Sequence, residues 1–192
     1  MNQNNIFFII AAVLILVLFY IRRKADAFVN DLIMDKITVN KIDELHPAIK
    51  DKAKKMIIEA EKDGIHLRVY EALRSFERQL ALYNQPFDGK DNNGNGLIDE
   101  PSEKVTNAKP GDGYHNYALA FDVVEIKDGK ALWNNANWGY IGLLGEKHGL
   151  EWGGRWNFKD YPHFQVKGVA LNHLKNLYSN NRFDNNGFVQ LT

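Results

Sequence analysis

An acidic residue stands inside an apolar strand pattern of this chain. Residues 118–126 have the sequence ALAFDVVEI, which alternates as a β-strand does, and Asp122 lies between Phe121 and Val123. A carboxylate in such a strand is costly to bury unless a cation or several hydrogen-bond donors compensate its charge. The sequence therefore predicts a fold that brings one of these partners to Asp122.

The composition limits what such a site can contain. The 192 residues are enough for one domain with short flanking segments, and they include 24 Lys and Arg, 24 Asp and Glu, and no Cys. The zero net charge gives no electrostatic reason to expect nucleic acid binding. Without Cys the chain has neither a disulfide nor a thiol nucleophile, so a transition-metal site would consist of His and carboxylate ligands.

The N-terminal region contains an uncharged apolar run. Residues 6–21 have the sequence IFFIIAAVLILVLFYI and are followed by three cations, Arg22–Lys24. As a helix this run would extend about 24 Å, slightly less than the ~30 Å hydrocarbon core of a membrane. We predict an uncleaved transmembrane anchor at 1–24. A cleavable signal peptide with its A-x-A site at 25–27, and a buried globular helix, are the alternatives.

The rest of the chain alternates helical and strand patterns. In chain order the patterns predict a helix at 47–62, a strand at 66–73, a helix at 75–85 capped by Ser75, strands at 118–126 and 131–133, a helix at 138–148, a strand at 163–166 and a helix at 169–178. This order predicts an α+β domain with a small antiparallel sheet flanked by helices.

Changes in composition mark the predicted boundaries. We expect a connector at 25–45, a domain at 46–180 and a tail at 181–192. Within the domain, residues 87–113 form a long loop rich in Gly, Asn and Asp. Loops of this length in a compact domain are usually functional or ordered by a ligand.

Two His residues accompany Asp122 as candidate metal ligands. His115 precedes it by seven residues, and His163 follows in the segment DYPH. A catalytic zinc needs three protein ligands from His and carboxylate and a fourth position open to water, and these residues meet that count. Each of the three taken singly is more often a structural polar group, so the spacing alone is weak evidence.

Several motifs in one order resemble a known family. GYHNYALAFD and DYPHFQ, together with EALRSFERQ, VTNAKPG and EWGGRW, resemble the zinc peptidases of bacterial cell-wall metabolism. That group includes D-alanyl-D-alanine carboxypeptidases and dipeptidases and the L-alanyl-D-glutamate endopeptidases of phage endolysins, and it shares a fold with the hedgehog signalling domain. The resemblance covers about residues 45–170, and VTNAKPG is most similar to the endolysin branch.

The resemblance implies roles for five residues. It implies that His115, Asp122 and His163 hold zinc, that Asp160 is the general base, and that Arg74 lies near the substrate carbonyl or carboxylate. A carboxylate three residues before a ligand can take a proton from water and pass it to the leaving amine. An exposed arginine and a surface turn aspartate are the structural alternatives for Arg74 and Asp160.

Further residues are candidates for the cleft around this site. Trp152 and Trp156, on either side of a Gly–Gly pair, are expected to form its walls and bind substrate. His148 is a candidate substrate-binding residue, with a packed histidine as the alternative. Gln79, one helical turn past Ser75, is placed to support Arg74.

The chain departs from the family pattern at two positions. Gly113 stands where the family has Ser, and Ala118 stands where it has Gly. Ala118 is acceptable if its backbone has φ below zero. Neither change alters a ligand, so we expect effects on rate and substrate choice rather than on zinc binding.

The long loop contains a pattern typical of calcium sites. Residues 88–100, DGKDNNGNGLIDE, place oxygen-bearing side chains at alternate positions before a Gly and an apolar residue. The predicted calcium ligands are Asp88, Asp91, Asn93, Asn95 and Asp99. The usual Glu at the twelfth position from Asp91 is replaced by Ser102, and a plain surface turn is the alternative.

Together these patterns predict a zinc metallopeptidase that cuts a peptidoglycan stem peptide next to a D-amino acid, with the L-alanyl-D-glutamate bond preferred over D-alanyl-D-alanine. The predicted cofactors are Zn²⁺ and, in the loop, Ca²⁺. The predicted partners are stem peptides and, through the anchor, membrane lipid. The alternative is a non-catalytic zinc- and calcium-binding cell-surface module on the same fold.

The predicted location follows from the anchor and the substrate together. We expect a single-pass membrane protein whose peptidase domain faces the cell wall or periplasm, a phage lysis or entry enzyme in a virion membrane being the alternative. The cations at 22–24 oppose this orientation, because the positive-inside rule would keep the domain in the cytoplasm.

Overall fold

The structure is a computed structural model that describes residues 12–22, 34–134 and 136–191. By internal contacts the chain divides into two units, Met1–Asp35 and Lys36–Thr192.

The first unit contains a helix at residues 12–22 with exposed side chains. Among the residues described, no helix is both long enough and apolar enough to cross a membrane. Residues 1–11 and 23–33 lie outside the described residues, and with them part of the predicted anchor, two of its flanking cations and the alternative cleavage site. The anchor therefore stays a prediction.

The second unit is an α+β domain, as predicted. Its helices are α1 (Lys36–Asp43), α2 (Pro47–Lys62), α3 (Phe76–Asn84), α4 (Trp138–Lys147) and α5 (Leu171–Ser179). Its strands are β1 (Leu67–Glu71), β2 (Ala120–Lys127), β3 (Lys130–Leu132), β4 (Leu150–Trp152) and β5 (His163–Val166). Short 3₁₀ turns lie at Gln85–Phe87, Pro101–Glu103, Tyr114–Tyr117 and Gly153–Arg155.

The sheet is antiparallel throughout and is organised around β2. The strand order is β1-β2-β5-β4, and β3 also pairs with β2. In this register Asp122 on β2 is paired with Glu71 on β1 and with His163 on β5. At this register position the half-buried carboxylate is thus flanked by a polar residue on each neighbouring strand.

Helix α2 supplies the predicted apolar face of the core. Its fully buried residues repeat at helical spacing and include Ile49, Ala53, Met56, Ile57 and Ala60. The helix ends at Asp63, and Gly64 follows with a φ of 77°. A residue in this left-handed region stops a helix at little cost when it is Gly.

The segments expected to flank the domain are part of it. Helix α1 lies within the predicted connector at 25–45, and Thr38 Oγ1 accepts a hydrogen bond from Val69 N on β1 at 3.2 Å. In the predicted tail, Phe183 and Val189 form a β-bridge. His46 Nε2 donates to the Val189 carbonyl at 3.0 Å, so the tail is held against the start of α2.

Two glycines let α4 lie close to the sheet. A Cβ atom on Gly145 would clash with the ring of Phe164 on β5, and one on Gly142 would clash with the indole of Trp152 on β4. These positions are one helical turn apart, so they line the same face of the helix. The close approach brings α4 onto the half of the sheet that carries His163.

We expect Gly145→Ala to destabilise the protein by about 1–3 kcal/mol, because the added methyl overpacks the contact with Phe164. This loss should appear although Ala favours a helix interior by about 1 kcal/mol over Gly. Gly139→Ala, in the same helix but with no atom within 4 Å of the added Cβ, is the matched control and should be neutral or stabilising. Urea unfolding measures both, and equal effects of the two substitutions would contradict the packing described.

Candidate metal centre and catalytic cleft

Three side chains that could hold a metal ion meet near the N-terminal end of strand β2. Asp122 and His163 are register partners on β2 and β5, and His115 lies in the 3₁₀ turn that precedes β2. Their ligand atoms all lie within 4.8 Å of one another. Asp122 Oδ1 is 3.1 Å from His163 Nδ1 and 3.4 Å from His115 Nε2, and the two ring nitrogens are 3.3 Å apart.

Hydrogen bonds on the far side of each imidazole decide which ring nitrogen carries the proton. His115 Nδ1 lies 2.8 Å from the carbonyl oxygen of Ala72, which can only accept, so Nδ1 is the donor. His163 Nε2 lies 3.1 Å from Gln165 Oε1, and Gln165 Nε2 donates to Glu151 Oε1 at 3.2 Å. Because a carboxylate only accepts, the Gln165 amide is fixed with its oxygen toward His163, and Nε2 of His163 donates.

In their neutral form the two imidazoles therefore turn their lone pairs toward Asp122. His115 Nε2, His163 Nδ1 and Asp122 Oδ1 are three acceptors in a buried site, where the two His residues are 5% and 8% exposed. Acceptors this close repel one another unless a positive charge lies among them. Two imidazole nitrogens and one carboxylate oxygen beside a cavity match the donor set of a catalytic zinc site. Each imidazole also has the outer hydrogen bond that orients a metal ligand.

The pKa shifts of Asp122 and His163 also indicate that this site favours a positive charge. Burial by itself would raise the pKa of the Asp122 carboxyl, but the charges and hydrogen bonds of His115 and His163 hold that pKa well below its usual range. Burial lowers the pKa of His163, yet its hydrogen bond and ion pair with Asp122 raise that pKa above the ordinary value. Both shifts favour a positive charge beside Asp122, which either a proton on His163 or a metal ion can supply.

Arg74 follows β1 and reaches the same site. Its Nη1 donates to Gln79 Oε1 at 3.0 Å, its Nε lies 3.5 Å from Glu71 Oε2, and its Nη2 lies 3.8 Å from Asp122 Oδ2. Gln79 is itself fixed, because its Nε2 donates to the Ala108 carbonyl at 2.7 Å. The guanidinium is therefore held in one position beside the candidate metal ligands.

Asp160 lies in the turn before β5 and borders the same site. Its backbone N donates to the Gly153 carbonyl at 3.2 Å, and its own carbonyl would lie 2.5 Å from a Cβ on Gly153, so this approach requires Gly. Burial raises the pKa of the Asp160 carboxyl above its usual value, against the opposing charge of His163. A raised pKa suits a carboxylate that takes a proton near neutral pH.

A cavity of about 660 Å³ opens onto the three candidate ligands. Arg74, Asp160 and Trp156 also line it, so groups able to hold a metal ion, take a proton and stabilise negative charge face one space. The segment around Val105 forms part of the wall, and so do aromatic side chains at the edge of the cavity. Those aromatic residues are Tyr70, Trp133 and Phe158.

Two of the predicted substrate-binding residues do not line this cavity, and we correct their assignment. His148 caps the C-terminus of α4, and its Nε2 lies 2.7 Å from Glu59 Oε2 on α2, which makes it a packed histidine hydrogen-bonded to a carboxylate. Trp152 is buried under α4, and its indole donates to the Tyr161 carbonyl at 2.8 Å. Of the predicted pair of tryptophans, Trp156 is the one that lines the cavity.

Gln165 and Glu151 belong to the site although the sequence patterns did not single them out. Glu151 Oε1 accepts hydrogen bonds from Gln165 Nε2 and from Trp156 Nε1, the latter at 2.9 Å. The signal for Gln165 is the period of two in HFQV, because residues two apart in a strand lie on the same face and Gln165 follows His163 by two.

The predicted calcium loop is closed by its own hydrogen bonds. Side-chain oxygens of all five predicted ligands accept hydrogen bonds from groups within the loop, namely those of Asp88, Asp91, Asn93, Asn95 and Asp99. In the described part of this loop, no three His, Asp or Glu side chains come close enough together to hold a metal ion. The calcium prediction therefore has no support from this geometry.

The two departures from the family pattern differ in their consequences. A Cβ on Gly113 would meet Ala108 and Gln79 at 3.7 and 4.0 Å, so a Cβ atom is accommodated there without a clash. Ala118 has a φ of 58° and a ψ of 23°, so the condition under which Ala is acceptable here, a negative φ, is not met. The left-handed conformation costs a non-glycine residue about 1–2 kcal/mol. The turn that carries His115 thus closes with a strained residue, whose N donates to the His115 carbonyl at 3.2 Å.

Replacing Gln165 with Leu should lower the affinity for Zn²⁺ by about 10–100-fold, because His163 would lose the acceptor that fixes its tautomer. Competition with a chromophoric chelator measures this affinity. Gln190→Leu, at an exposed position of the C-terminal segment, is the matched control and should bind as the wild type does. An unchanged affinity in Gln165→Leu would contradict the role given to this amide.

A family model described as D-alanyl-D-alanine carboxypeptidase, from the M15 peptidases, matches residues 106–166. The chain is 35% identical over 134 residues to the peptidoglycan L-alanyl-D-glutamate endopeptidase CwlK of Bacillus subtilis (strain 168), an alignment that covers 64% of this chain and 74% of that protein.

The chain is also similar to solved structures, including the following two. The L-Ala D-Glu endopeptidase ChiX of Serratia marcescens is 23% identical, with 69% of this chain and 87% of that chain covered and a TM-score of 0.47. A VanB-type D,D-pentapeptidase VanY in complex with Zn(II) is 17% identical, with 69% and 78% covered and a TM-score of 0.49. The identity to CwlK over most of its length, together with the family model, shows that this chain is an enzyme of the M15 peptidase family.

Proposed function

We propose that this protein is a zinc-dependent peptidase that hydrolyses the peptidoglycan stem peptide next to a D-amino acid. The observation that carries the proposal is the convergence of three metal-ligand atoms, a carboxylate with a raised pKa and a fixed guanidinium on one cavity. His115, Asp122 and His163 would hold the zinc. The ion, when bound, supplies a Lewis acid that activates water near neutral pH and polarises a carbonyl.

Two further residues perform the proton transfer and charge stabilisation. The Asp160 carboxylate takes the proton of the attacking water and gives it to the nitrogen of the leaving amine. Arg74, held by Gln79 and Glu71, directs its guanidinium at the negative charge that develops on the scissile carbonyl oxygen. The presence of Asp160 favours this enzyme over the non-catalytic binding module, which has no use for a base at that position.

Within this proposal we assign the L-alanyl-D-glutamate bond as the preferred target over D-alanyl-D-alanine. The identity to CwlK, whose name states that specificity, supports the assignment. The segment VTNAKPG supports it as well, because Val105, Thr106, Asn107 and Ala108 from this segment line the cavity. The part of the cavity wall formed by VTNAKPG, which is the segment most similar to endopeptidases, thus determines which bond is cut.

Digestion of purified peptidoglycan by the full chain tests the reaction. With Zn²⁺ present, mass analysis should find fragments with a new N-terminal D-glutamate, whereas carboxypeptidase activity would release free D-alanine. Asp160→Asn keeps the shape of the side chain but removes the base, so we expect a rate about 10²–10⁴-fold lower with metal binding retained. A wild-type protein that binds Zn²⁺ and releases nothing would contradict the proposed function.

We also propose that residues 1–24 anchor the chain in a membrane, with the peptidase domain facing the cell wall. The uncharged run at 6–21 and the wall substrate support this location.

The full chain should stay in the membrane fraction after alkaline extraction. Leu14→Arg with Leu16→Arg should release it, since each Arg at the centre of a span costs about 2.5–3.5 kcal/mol. Asn40→Arg, on the exposed surface of α1, is the control, and a wild-type chain found in the soluble fraction would contradict the anchor.

A further inference from the structure

Two aromatic side chains form a shelf at one edge of the cavity, and the mechanism above does not use them. Tyr70 of β1 and Trp133, which follows β3, are in edge-to-face contact with ring centroids 5.1 Å apart. Both line the cavity, yet they are 57% and 41% exposed. We call this pair, Tyr70 and Trp133, the aromatic shelf.

The shelf is built by local features of the sheet. The register between β1 and β2 shifts between Val69 and Glu71, so Tyr70 occupies the irregular position. Such irregularities turn a side chain away from the regular alternation and are common beside active sites. On the other side, the Trp133 carbonyl accepts a hydrogen bond from the Trp138 indole at 3.1 Å, which fixes the chain where it leaves β3.

The shelf is continuous with the candidate metal centre. Glu71, the residue after Tyr70, is the register partner of the ligand Asp122, so the shelf begins about one residue along β1 from the metal centre. Exposed aromatic rings that line a polar cavity are typical of a ligand surface. A group bound on the shelf would therefore lie next to the bond that is cut.

This inference rests on the proposed reaction, because that reaction determines which chemical group adjoins the bond that is cut. In peptidoglycan the L-alanine of the stem is joined through a lactyl group to the N-acetylmuramyl ring. On the alanine side of an L-alanyl-D-glutamate bond, one residue and the lactyl group therefore separate the reacting carbonyl from a sugar. At about 3.3–3.6 Å per residue this separation is only about 7 Å.

We propose that the aromatic shelf binds a sugar ring of the glycan strand to which the stem peptide is attached. One face of a pyranose consists of C–H groups and is flat and apolar, so it stacks on rigid aromatic rings without requiring a charged partner. The shelf meets this requirement, since Tyr70 and Trp133 supply two apolar surfaces of fixed orientation. It gives the enzyme a preference for stems that are still attached to glycan.

Kinetics on two matched substrates test the proposal. One is a disaccharide–tetrapeptide, and the other is the same tetrapeptide with an N-acetyl group in place of the sugars, which keeps the alanine nitrogen uncharged. Tyr70→Ala and Trp133→Ala should each raise KM for the disaccharide substrate about 10-fold. The sugar-free peptide should be hydrolysed as fast as by the wild type, which also verifies that the variants fold.

Conservative and distant variants serve as controls. Tyr70→Phe and Trp133→Phe retain an aromatic surface and should recover most of the affinity for the disaccharide substrate. Phe87→Ala removes an exposed aromatic ring outside the cavity and should change neither substrate. Equal losses on both substrates would overturn the proposal by assigning the shelf to the peptide, and no loss on either substrate would overturn it as well.

A binding measurement separates failure of the shelf from failure of the proposed function. Tryptophan fluorescence of the zinc-loaded protein is titrated with N,N′-diacetylchitobiose, which contains sugar and no peptide bond of a stem. If the wild type cleaves neither peptide, the proposed reaction is wrong, but this titration still tests the shelf. Affinity that falls about 10-fold in Tyr70→Ala supports sugar binding, and equal affinity in the two proteins overturns it.

Discussion

Three hydrogen-bond acceptors that face one another are the constraint on which this structure depends. Because the outer nitrogens of His115 and His163 are donors, Nε2 and Nδ1 carry the lone pairs of the neutral rings, and both nitrogens lie within 3.4 Å of Asp122 Oδ1. The arrangement is unfavourable without a positive charge, so this part of the cavity favours the binding of a cation. The interactions between Asp122 and the two His residues also lower the pKa of Asp122 and raise the pKa of His163.

The rest of the domain can be understood as support for this cluster. The antiparallel register between β2 and β5 sets Asp122 opposite His163, and the two glycines of α4 let that helix lie against the same half of the sheet. The Glu151–Gln165 hydrogen bond sets the tautomer of His163 from behind. Asp160, which precedes β5, and Arg74, which follows β1, both face the cavity. The fold thus places a base and a fixed cation beside the metal centre.

The ligand set and the roles of Asp160 and Arg74 are expected from the resemblance to the zinc peptidases, whereas local patterns predict the strands that carry the ligands. A carboxylate inside an apolar strand requires a partner wherever it occurs, and the alternation in 118–126 and 163–166 indicated strands that the structure contains. The positions of His148 and Trp152 could not be predicted in this way, since an apolar pattern does not distinguish the wall of a cleft from the underside of a helix. Ala118 also escaped prediction, because its left-handed backbone depends on how the turn at His115 joins β2.

The position of zinc in crystals of the protein, measured by anomalous scattering at the zinc edge, tests the assigned ligand set most directly. We expect one peak about 2.0–2.2 Å from His115 Nε2, Asp122 Oδ1 and His163 Nδ1, with a fourth position open to the cavity. A peak on the opposite nitrogen of either imidazole, or a zinc ion bound elsewhere with these three residues unliganded, would contradict the tautomers and the converging lone pairs from which the function is derived.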